Sequence, residues 1–87
     1  MAEPGFTPAF LRRIVELEKR LSTAESELLD KSLARIVADP ELAERFPTFY
    51  DPHLPTFLVR AGPFMVEFAV DEETDAVTFV SLFYRSV

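Results

Sequence analysis

Eighty-seven residues, 48% of them hydrophobic and nine of them Phe, suffice for one small domain with a thin core (1–87 as a single unit). The lack of any Cys excludes disulfides and thiolate metal sites, and fits a reducing compartment. Nine Lys and Arg against fifteen Asp and Glu leave a net charge of −6, a field that opposes phosphate chains and argues against direct nucleic-acid binding.

The opening Met1-Ala2-Glu3-Pro4 lacks the basic-then-apolar order of a signal peptide. No apolar run approaches the roughly 20 residues that span a bilayer. The expectation is a cytoplasmic protein with no membrane partner.

Thr7-Pro8 reads as an N-cap followed by proline at the first helical position, where the missing N–H costs nothing. Phe10, Ile14, Leu17 and Leu21 then recur at i, i+4, i+7 and i+11, widened by Leu11 and Val15. Ser22-Thr23-Ala24-Glu25 matches a capping box, with the acceptor and its glutamate three residues apart. A second helix follows to about Ala38, with Leu29, Leu33, Ile36 and Val37 on its apolar side. Asp39-Pro40 stops it, because the residue before proline avoids the α region. The pattern predicts a helical hairpin over about 7–38, in preference to one bent helix too long for a small sheet.

Residues 39–55 read as a crossing loop, with three of the seven prolines inside Pro47–Pro55. Three antiparallel strands are predicted after it: about Thr56–Ala61, Phe64–Asp71 and Ala76–Arg85, within a sheet region of 56–85. Gly62-Pro63 breaks the first run, and the acidic stretch 71–75 separates the last two. Phe64, Val66, Phe68 and Val70 form one face of the middle strand, and Met65, Glu67, Ala69 and Asp71 the other. The last strand is apolar on both faces, which a half-buried strand should not be. Either something covers its second face, or the strand is central and the surplus is a binding surface.

The order of these pieces resembles the RelE/ParE superfamily of type II toxin–antitoxin toxins. The segments that carry the likeness are residues 6–13 (Phe-Thr-Pro-Ala-Phe-Leu-Arg-Arg), Asp39-Pro40-Glu41-Leu42, Leu58-Val59-Arg60-Ala61-Gly62, the strand 64–71 and the terminal run 80–85 ending in Tyr84-Arg85. The resemblance implies an α+β fold with a helical hairpin packed on a small three- to four-stranded antiparallel sheet. It also implies a toxin neutralised by a cognate antitoxin that wraps around it. RelE-like members cleave mRNA in the ribosome; ParE-like members poison DNA gyrase.

Three departures from the family pattern weaken the RNA-cleaving reading. Only Met1–Phe6 is available for the strand that usually opens the fold. Met65 stands where RNA-cleaving members carry an arginine, and the chain runs only two residues past Arg85. A short first strand also invites a partner to complete the sheet by strand addition.

Metal-free RNA cleavage needs a base for the 2′-hydroxyl, an acid for the leaving oxygen and cations for the phosphate. Arg60 and Arg85 match the basic positions that end two strands in the family, and Tyr84 and His53 can move protons. Against this, Arg60 can pair with Glu67 across the strands, Arg85 can be a solvated end, and a lone loop histidine is ordinarily just exposed. Asp51 and His53 lack further ligands, so no metal site is expected. With two glycines there is no phosphate loop, and no cofactor is expected. The acidic turn 71–75 reads as a solvated hairpin. Met65, Phe83, Tyr84 and either Phe79 or Val80 make a candidate protein-binding surface, or else they pack beneath the 47–57 loop. The leading expectation is a toxin-like protein that binds a protein target such as gyrase. The alternatives are a ribosome-dependent mRNA endonuclease, and a silent interaction module or small homodimeric adaptor.

Overall fold

The computed structural model describes residues 4–48, 55–71, 73, 74 and 76–85. The chain begins with a short strand β1 (Gly5–Phe6), followed by helices α1 (Pro8–Glu18) and α2 (Thr23–Ala38). Four strands follow: β2 (Phe46–Thr48), β3 (Thr56–Ala61), β4 (Phe64–Val70) and β5 (Val77–Tyr84).

Both helices start where the sequence places their caps. Thr7 accepts from the Phe10 N–H with Oγ1 and Pro8 occupies the first turn. Ser22 and Glu25 form the complete capping box, each side chain satisfying the other's backbone N–H at 3.1 and 3.0 Å. The chain therefore makes two helices rather than one.

The sheet is five-stranded in the order β1-β5-β4-β3-β2. It is mixed: β1 pairs parallel to β5, and the other pairings are antiparallel. This corrects the expected three- to four-stranded antiparallel sheet at both edges. Gly5 and Phe6 do pair, opposite Thr78 and Phe79, so two residues suffice for an opening strand. Phe46–Thr48, expected as loop, pairs with Leu58–Thr56 as an edge strand. Pro47 disguised it. A proline is tolerated on an edge because its missing N–H faces away from the ladder.

The last strand owes its double-apolar look to a β-bulge. Glu67 pairs with Ser81 but Phe68 pairs with Phe79, so Val80 is the extra residue on β5. Before the bulge Val77 and Phe79 face the helices; after it Leu82 and Tyr84 do. The slip turns an ambiguous alternation into one continuous buried row. The strand is also central, with β1 on one side and β4 on the other.

The core joins one face of the sheet to both helices. Phe10, Leu17, Leu29 and Ile36 cluster with Val59, Phe64, Val66, Phe68, Val70, Val77, Phe79 and Leu82. Phe10, Phe64, Phe68 and Phe79 are fully buried, as is Val66. The expected inward face of the middle strand is therefore the observed one. Phe6, Phe10 and Phe79 stack with ring centroids 5.3–5.6 Å apart, which ties β1 and α1 to β5. Arg45 lies 3.9 Å over the Phe57 ring and donates to the Pro40 carbonyl at 2.9 Å, holding the 39–45 segment against the sheet.

Candidate functional site

Register decides which candidate residues meet. On the face away from the helices, Arg60 of β3 stands opposite Met65 of β4, and Met65 opposite Phe83 of β5. These three form one cross-strand row. The next row on the same face is Phe46, Leu58, Glu67 and Ser81, and the third is Thr48, Thr56, Ala69 and Thr78. Exposure rises towards the first row and the β2 edge: Met65 is 40% exposed, Phe83 52% and Phe46 65%, whereas Ala69 and Thr56 are buried. The Thr48 and Thr56 hydroxyls are hydrogen-bonded to each other, which closes the third row at the β2 edge.

Arg60 is exposed. Its register partner is Met65, and Glu67 stands one row away, opposite Leu58. Among the described residues the ion pairs are Arg13–Glu16 and Arg35–Glu44, so Arg60 is not held by Glu67. Arg85 follows β5 and its N–H donates to the Pro63 carbonyl at 2.9 Å, which continues the β4–β5 ladder past the Phe64–Tyr84 pair. That position, two residues beyond Phe83, shares the Phe83 side by alternation.

Tyr84 lies on the opposite face. It pairs with Phe64, packs on that ring at 5.4 Å, and its hydroxyl donates to Glu25 Oε2 at 2.9 Å. The same Glu25 accepts from the Ser22 N–H through Oε1. The Ser22 backbone bond, followed by the Tyr84 bond, holds the Glu25 carboxyl below the usual carboxylate value. The Glu25 carboxylate in turn raises the Tyr84 phenol above its usual value. Tyr84 is thus engaged in joining β5 to the start of α2, on the face away from Arg60 and Met65. His53 lies outside the described residues.

The structure brings together Arg60, Met65 and Phe83, and places Tyr84 elsewhere. Phe79 is core, and the bulged Val80 is half-buried, its carbonyl taken by the Thr7 hydroxyl at 2.7 Å. Sequence reasoning missed Phe46 and Leu58 as members of the outer face. Leu58 was readable, since alternation from the inward Val59 puts it outside. Phe46 was not, because its strand contains Pro47.

An exposed row of one guanidinium and two large apolar side chains can dock a protein: Arg and aromatic or Met side chains are the types enriched in interface cores. Metal-free acid–base chemistry asks for a proton-transfer group beside the cation; among the described residues the first row is Arg60, Met65 and Phe83, and the carboxylate of Glu67 stands in the next row.

Two helices on one face of a mixed five-stranded sheet, with a short parallel opening strand, make an α+β fold. Among solved structures the chain is similar to the isolated E. coli RelE toxin, with a TM-score of 0.67 and 16% identity over all of this chain and 87% of that one. It is likewise similar to the intact E. coli RelBE toxin–antitoxin complex, at 0.65 and 17% identity, with both chains covered in full. A third likeness, at 0.56 and 18% identity over 97% of this chain and 83% of that one, is to a double Arg-to-Ala mutant of E. coli RelE bound to a peptide of the antitoxin RelB. At these identities the likeness is one of fold. No protein-family model and no curated protein matches the sequence.

Proposed function

We propose that this chain is the toxin-like member of a type II toxin–antitoxin pair and acts by binding a protein target through the outer face of its sheet. The fold supports the toxin reading, and two of the structures that share it contain an antitoxin, so a cognate antitoxin is the partner this reading brings to the chain. The observation that carries the mode of action is the cross-strand row Arg60–Met65–Phe83, exposed, with Tyr84 turned to the opposite face. Covering Met65 and Phe83 is worth about 1.5–3 kcal/mol for each side chain fully buried. The net charge of −6 favours a protein target, such as DNA gyrase in the ParE-like mode, over an RNA.

One observation keeps a ribonuclease as the second reading. Arg60 is exposed, in no ion pair among the described residues, and shares its face with the Arg85 position, so a phosphate clamp is available.

Inducible expression of the chain alone in a bacterial host tests the proposal, following growth, transcript integrity and DNA supercoiling. Growth arrest with intact transcripts is expected. Cleaved transcripts favour the nuclease, and normal growth with soluble folded protein favours a silent interaction module.

A further inference from the structure

We draw no further inference here: the strongest candidate, the exposed Leu11–Val15 face of helix α1, is bordered by one cation and one carboxylate, Arg12 and Glu16, and nothing in the structure shows what covers it.

Discussion

Gly62 is the residue on which the β3–β4 hairpin turns. Its φ of +57° lies in the left-handed region, which costs a side-chain-bearing residue about 1–2 kcal/mol. A Cβ there also meets Leu28 Cδ2 at 2.7 Å. The two causes are separable. Gly62→Ala is expected to lower unfolding free energy by about 1–2 kcal/mol in denaturant titrations, with Leu28 Cδ2 shifting to make room. Adding Leu28→Ala removes the contact but not the backbone strain, so Gly62→Ala must still cost stability in that background. If it costs nothing there, steric contact alone sets the requirement for glycine. At Tyr84 and Glu25 the two pKa shifts have opposite signs and different windows. The Glu25 carboxyl is lowered, so its contribution is present above the ordinary carboxylate range and is lost as pH falls through its depressed value. The Tyr84 phenol is raised, so its contribution is present below its ordinary value of 10.0 and is lost as pH rises through the elevated one. The Tyr84 ring Cζ resonance is therefore expected to titrate above 10 in the native protein and to move back towards 10 in Glu25→Ala. An unchanged titration would mean that Glu25 is not what holds the proton.

At the scale of elements, β5 shows what the sequence could and could not convey. The Thr7 cap, the capping box at Ser22 and Glu25, and the inward row of β4 were legible because each has a local chemical signature. The bulge was not, since a period-2 reading cannot see a one-residue slip from within a strand whose two faces are both apolar. Its signature is long-range. The Val80 carbonyl at the bulge is met by the Thr7 hydroxyl, and the Thr7 N–H donates to the Phe79 carbonyl at 3.0 Å. One side chain thus caps α1 and satisfies the irregularity in β5. Thr7→Val removes both side-chain bonds and keeps the shape. It is expected to cost about 2 kcal/mol or more, a lost cap plus an unmet carbonyl, and Thr7→Ser is expected to recover most of it. Loss in Thr7→Ser with none in Thr7→Val would show that the methyl packing, and not the hydroxyl, is what matters. The candidate site was half legible for the same reason. Met65 and Phe83 were found together as apolar surplus, but Tyr84 was grouped with them because the slip that turns it inward was invisible.

Across the described residues, the exposed large apolar side chains include Phe46, Met65 and Phe83 on the outer face of the sheet, and Leu11 and Val15 on α1. In the proposed function the outer sheet row, and not proton-transfer chemistry, acts on the target. The most direct measurement is growth on induced expression of three forms: the native chain, Phe83→Glu, and the Arg60→Ala, Arg85→Ala double variant, with transcript integrity followed in each. Phe83 is exposed, so the charged variant should fold, and soluble yield with a native far-UV spectrum verifies that. Arrest by the native chain with transcripts intact is expected, and relief of arrest by Phe83→Glu. Cut transcripts that the double arginine variant restores, with Phe83→Glu still toxic, would contradict it.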